Sequence, residues 1–256
     1  MRLYLREWGD PASPALVCLH GVTSFGGRFR QLAEERLVRH RVLAPDLRGH
    51  GLSEHDAPWD LETHVADVLE TVGEERATWI GHSFGGRIVA ELASREPGRV
   101  ERMVLLDPAL QVLPHVALDM AEAACDDVSF ADPEEAIQWR LDSGRFLHTP
   151  RELFEEDARE HLERGRDGRL RYRFARSAVV TAWNEMATPA PGPARVPTLV
   201  VLGAQSWLVQ DEQLDRYRAE LGDLLEVVSV PGGHTVFWDA FAETADAVEQ
   251  FLLAAG

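Results

Sequence analysis

Lysine is absent: all 26 basic residues of this 256-residue chain are arginine. A Schiff base, including the one that anchors pyridoxal phosphate, needs a lysine amine, and a phosphate-binding P-loop needs Gly-Lys-Ser/Thr, so both chemistries are excluded. Cysteine is nearly absent as well. Cys18 and Cys125 are the only two, too few for a disulfide framework or a zinc ligand set, and they are expected to stay reduced. Positive charge is scarce, with 26 basic against 43 acidic residues and a net charge of −17. Such a chain repels nucleic acid and anionic membranes, so neither is expected as a partner. No apolar run approaches the roughly 18 residues of a membrane span, and the opening Met1-Arg2-Leu3-Tyr4-Leu5-Arg6-Glu7 has no apolar signal-peptide stretch. A cytoplasmic location is the expectation.

What is present supports one sizeable core, at most with an inserted subdomain, since 45% of the residues are hydrophobic. Apolar runs and alternation predict strands over residues 2–8, 15–19, 41–47, 77–81, 100–106, 198–203 and 225–230. Helical spacing covers 27–38, 61–72 with Asp60 as N-cap, 84–96, 211–221 and 240–253. Strand and helix alternate through short linkers, which argues for a parallel sheet covered on both faces. Between Ala109 and Val196 the rhythm breaks into roughly four helical patterns with no convincing strand. Two of these start at Asp132-Pro133 and Thr149-Pro150, each read as N-cap and first helical residue. The expected division is a core of residues 1–109 and 197–256 and a helical cap of residues 110–196.

The centre of the chain is the stretch Ala77-Thr78-Trp79-Ile80-Gly81-His82-Ser83-Phe84-Gly85-Gly86. It reads as an apolar strand, a glycine-framed turn and a helix, with Ser83 at the tip. Glycines are needed there because a serine held outward between strand and helix strains the backbone, and a neighbouring Cβ would clash. The helix directs its free N–H groups back at the serine, where an oxyanion would develop.

Together with Leu19-His20-Gly21-Val22, Asp46-Leu47-Arg48-Gly49-His50-Gly51-Leu52-Ser53 and Gly232-Gly233-His234, this stretch resembles the α/β-hydrolase superfamily over essentially the whole chain. The extra edge strand that the family often places before residues 2–8 is not expected. The resemblance implies an α/β fold, a mostly parallel central sheet with helices on both faces plus an inserted helical cap. It implies Ser83 as nucleophile, His234 as its base, and the backbone N–H groups of Val22 and Phe84 as oxyanion donors. His20 and His82 are expected to hydrogen-bond local backbone. Neither a metal nor an organic cofactor is implied. Haloalkane dehalogenases and epoxide hydrolases need a carboxylate nucleophile, so Ser83 excludes both.

A histidine base needs a carboxylate to fix its tautomer. In most of the family that acid follows the strand equivalent to residues 198–203, where this chain has Gln205 and Ser206. Asp211 and Glu212 open a helix, where capping explains them. Asp107 ends the strand after the nucleophile helix, and Pro108 is expected to hold it extended, with its carboxylate above the sheet. Haloalkane dehalogenases and zearalenone-type lactonases look similar in this placement. Trp183, Trp207, Phe25 and Met186 are the expected substrate contacts. The leading expectation is a serine hydrolase of a small-molecule ester or lactone with a hydrophobic part. The alternatives are a carbon–carbon bond hydrolase on the same site and a non-catalytic small-molecule receptor. The arginines 164, 166, 169, 171, 173 and 176 are interrupted by Glu163 and Asp167 and read as a solvated face.

Overall fold

The computed structural model describes residues 1–73 and 76–254. The chain begins with β1 (Leu5–Trp8), β2 (Ala15–Leu19), α1 (Arg30–Glu35), β3 (Arg41–Pro45), α2 (Leu61–Val72), β4 (Ala77–His82), α3 (Phe84–Arg95) and β5 (Val100–Leu106). An excursion follows: α4 (Pro114–Ala123), α5 (Pro133–Leu141), α6 (Arg151–His161), β6 (Leu162–Arg164), β7 (Leu170–Tyr172) and α7 (Arg176–Met186). It returns through β8 (Thr198–Gly203), α8 (Asp211–Leu221), β9 (Leu225–Val230), α9 (Val236–Asp239) and α10 (Phe241–Leu253). The central sheet has seven strands in the order β1-β3-β2-β4-β5-β8-β9. Only β1, at the edge, is antiparallel to its neighbour.

Side chains alternate across the pleat, so each central strand feeds two cores. Val17, Trp79, Met103 and Leu105 pack on one face with α3 and α8, while Cys18, Ile80, Val104 and Leu106 pack on the other with α1 and α10. Among the described residues no helix is long and apolar enough to cross a membrane.

The excursion differs from expectation in two places. Residues 162–172 form an antiparallel hairpin, with Leu162 opposite Tyr172 and Arg164 opposite Leu170. Strands of three residues are too short to register as a period, and their arginines masked the alternation. Those arginines are spent on neighbours: Arg171 pairs with Asp127 and Asp167, and Arg173 with Glu163. The N-cap of α6 is Pro150 rather than Thr149, because the Thr149 hydroxyl donates instead to Asp239. At α5 the Asp132 carboxylate does accept from the Glu135 N–H, at 3.0 Å.

Arg87, one helical turn beyond Ser83 on α3, ties both ends of the excursion to the sheet. Its buried guanidinium donates to the carbonyls of Leu110, Thr188 and Pro189 and to the Thr188 hydroxyl, and pairs with Glu91 at 3.0 Å. Arg87→Leu leaves the carbonyls of Leu110, Thr188 and Pro189 without this donor and Glu91 with Arg95 as its remaining cation. The expected loss is about 3–5 kcal/mol of stability, read by urea denaturation. A loss below about 1 kcal/mol would show that water replaces the clamp.

Candidate active site

Ser83 sits between β4 and α3 with φ 54° and ψ −120°. This left-handed geometry costs an L-residue roughly 1–3 kcal/mol and is kept only where the surroundings overdetermine it. Here the Ser83 N–H donates to the Leu106 carbonyl at 3.2 Å, and the Ser83 carbonyl accepts from Gly86 at 2.9 Å and Ala109 at 3.0 Å. Space explains the glycines. A Cβ on Gly81 would lie 2.5 Å from the Gly85 carbonyl oxygen, and one on Gly21 would lie 2.8 Å from the Ser83 Cβ. Among the described residues the non-glycine positions of positive φ are Thr23, Ser83 and Asp107, and all three belong to this site.

Asp107 and His234 are brought together across 127 residues of sequence, with His234 Nδ1 2.6 Å from Asp107 Oδ2. The carboxylate is buried, 1% exposed. Its Oδ1 accepts from the Gly203 N–H at 3.2 Å and its Oδ2 from the Ser206 hydroxyl at 2.6 Å. So Ser206, where most of the family has its acid, hydrogen-bonds the Asp107 carboxylate from beyond the neighbouring strand. The expected extended backbone at Asp107 is corrected: φ is +41°, because Asp107 N–H donates to the Val201 carbonyl at 2.7 Å and closes the strand in a tight turn. With Nδ1 engaged by the carboxylate, Nε2 is the nitrogen of His234 left to take up a proton.

His82 and His20 are structural. His82 Nε2–H donates to the His234 carbonyl at 3.0 Å, and the two rings lie tilted at 35° with centroids 4.6 Å apart, which joins the serine turn to the histidine loop. His20 donates from Nδ1 to the Gly21 carbonyl at 2.8 Å and accepts the Leu47 N–H on Nε2 at 2.9 Å. Burial pushes the pKa of both far below the ordinary histidine value. Neither ring is a base at neutral pH.

Phe84 opens α3, so its N–H is among the donors a helix leaves unpaired in its first turn. Val22 follows Gly21 and lies on the cavity wall with Ser83. The adjoining Thr23 is held by its carbonyl, which accepts from Arg140 at 3.2 Å. Arg140 lies over the Tyr172 ring at 3.8 Å and 3.3 Å from Asp157. Burial alone would raise the Asp157 carboxyl, but Arg28 and Arg140 outweigh it and hold the pKa at about 2.

The cavity over Ser83 has a volume of about 270 Å³ and is lined by Val22, Thr23, Met120, Arg145, Leu147, Trp183, Trp207, Leu208 and His234 among others. Trp183 and Trp207 are thus on its wall. Phe25 and Met186 are not, which corrects the expectation for both. Phe25 is 2% exposed and stacks on His161 at 4.6 Å. Met186 shares the core-facing side of α7 with Val179 and Ala182 and is fully buried. Leu147 and Arg145 carried no signal in the sequence. Asp239 positions their loop: its carboxylate accepts from the N–H groups of Leu147, His148 and Gly233, so one side chain holds the cavity wall and the histidine loop together.

Residues 14–241 match the family model described as alpha/beta hydrolase fold. The chain is 31% identical over 241 residues to Lipase LipV of Mycobacterium tuberculosis, covering 91% of each chain. It is 29% identical over 255 residues to 3-hydroxybutyrate-oligomer hydrolase of Cupriavidus necator, covering 91% of this chain and 87% of that one. Among solved structures, E-2-(acetamidomethylene)succinate hydrolase superposes with a TM-score of 0.84 at 25% identity, covering 98% of this chain and 94% of that chain.

Proposed function

Since this chain belongs to the α/β-hydrolase fold family, we propose that it is a serine hydrolase that cleaves carboxylic esters, lactones included, through an acyl-enzyme on Ser83. The observation that carries the reading is the 2.6 Å contact of Asp107 with His234 Nδ1, with Ser83 and His234 on one cavity wall. A serine hydroxyl is a weak nucleophile until a base takes its proton. His234 Nε2 takes it as Ser83 Oγ attacks the carbonyl carbon, and Asp107 stabilises the imidazolium that forms. The N–H groups of Val22 and Phe84 receive the oxyanion, each worth about 3 kcal/mol of barrier. His234 then protonates the departing alcohol oxygen, and water, activated by the same ring, releases the acid and restores Ser83. The excursion over residues 110–196 serves as a cap. Through Met120, Leu147 and Trp183 it supplies an apolar wall suited to a hydrophobic acyl or alcohol part, and the relative named as a lipase supports this class.

A fluorophosphonate probe tests the reading without knowledge of the substrate. Intact mass should show one label on the wild-type protein, taken up within minutes, and none on Ser83→Ala. A folded wild-type protein that takes no label would sink the proposal.

A further inference from the structure

Among the described residues, the cavity of Ser83 contains a cation with no carboxylate partner. Among the described lining residues there is no aspartate or glutamate, and Arg145 is the only arginine. Its guanidinium makes one weak contact, Nη2 at 3.9 Å from the Met120 sulfur, and among the described residues no carboxylate lies within ion-pairing distance of it. Supply is not the reason, because the chain has 43 acidic residues for 26 arginines. The buried arginines near Arg145 are paired, Arg28 and Arg140 both with Asp157.

Position and rigidity add to this. The loop carrying Arg145 is fixed on its C-terminal side by the Asp239 carboxylate, which holds Leu147 and His148, and by Phe146, whose ring packs 5.0 Å from Phe154. A second chamber of about 490 Å³ adjoins the first and shares Thr23, Met120, Arg145 and Trp183 with it. Arg145 therefore stands at the junction of the two chambers. Desolvation, and then the nearby Arg140, push its pKa below the ordinary guanidinium value. The cation is uncomfortable as it stands, and an anion would relieve it.

We propose that Arg145 is the receptor for a carboxylate of the substrate, so that the preferred esters are those with a free carboxylate a short spacer from the scissile carbonyl, as in half-esters of dicarboxylic acids. A planar guanidinium matches a carboxylate through two parallel hydrogen bonds. The overall charge of −17 gives no general attraction for anions, so a substrate carboxylate needs a specific partner. The substrate class rests on the hydrolase reading above, whereas the anion site rests on the cavity alone.

Two measurements separate these. In the first, kcat/KM is compared for p-nitrophenyl hemiglutarate and its neutral counterpart p-nitrophenyl valerate. The wild-type protein should favour the anion at least tenfold, Arg145→Met should lower the anion-to-neutral ratio by about 10- to 100-fold, and Arg145→Lys should restore part of it. In the second, glutaric acid monobenzylamide and its methyl ester are titrated calorimetrically into Ser83→Ala with and without Arg145→Met, which needs no turnover. Tighter binding of the acid, lost in the double variant, is expected. Equal binding of acid and methyl ester, or a preference unchanged by Arg145→Met, overturns the carboxylate site even if Ser83 takes the fluorophosphonate label. An Arg145-dependent preference in binding without any turnover of esters upholds the site and overturns the hydrolase reading.

Discussion

Asp107→Asn is expected to fold normally and to lose about three to four orders of magnitude in kcat. The side chain is isosteric, so Gly203 N–H can still donate to its oxygen, as it does to Asp107 Oδ1 at 3.2 Å. What changes is the atom facing His234. In the native site Oδ2 accepts from both Ser206 Oγ and His234 Nδ1 at 2.6 Å. An amide NH2 in that place would donate to Nδ1 and drive the ring proton to Nε2, the nitrogen needed as base. The negative charge that stabilises imidazolium is lost at the same time. Burst and steady-state kinetics on an activated ester, with thermal unfolding as the control for folding, measure the effect. Turnover within tenfold of wild type would remove Asp107 from the mechanism. Adding Ser206→Asp to this variant restores a carboxylate beside the vacated position, and a partial recovery of turnover is expected.

The protein is also expected to unfold cooperatively with acid, near pH 5. His20, His50, His64, His82 and His161 are all buried, and burial is the leading cause that lowers the pKa of each. For His50 it falls to about 3 and for His64 to about 4. In the unfolded chain these rings titrate near 6.5. Above that value neither state is protonated and the rings cost nothing. As pH falls below it, the unfolded chain takes up protons that the folded protein refuses, so stability is lost in this direction. Each ring contributes a slope of about 1.4 kcal/mol per pH unit, and five acting together rival the whole 5–15 kcal/mol of a typical domain within about one to two units. Circular dichroism followed from pH 7 to 4 checks this, with proton uptake measured across the transition. A protein still folded at pH 4 would mean that these rings accept protons in place.

Much of the fold was legible because its signals are local. β9 and α8 occupy the expected residues, and Asp60 caps α2 by accepting from the Thr63 N–H at 2.9 Å. The short hairpin of β6 and β7 was not legible, since its register depends on Phe130 and Tyr172 packing in a separate small core. Ser83 could be read from the residues around it because strand, glycine and helix adjoin it in sequence. Phe25 and Met186 were misplaced for the opposite reason. On α7, Trp183 and Met186 are three residues apart, yet one lines the cavity and the other is buried in the core, and only the packing of the helix chooses between its adjacent faces.

The class of fold, the strained serine turn and the chemistries that an absence of lysine forbids follow from the residues alone, because composition and near-neighbour sterics act within a few residues. Which groups stand next to one another comes from the packing. It set Asp107 against His234, put Ser206 behind that carboxylate and left Arg145 unpartnered at the junction of two chambers. Those relations join side chains from distant parts of the chain, and their energies depend on separation and burial, which are fixed only when the sheet and the helices above it have packed.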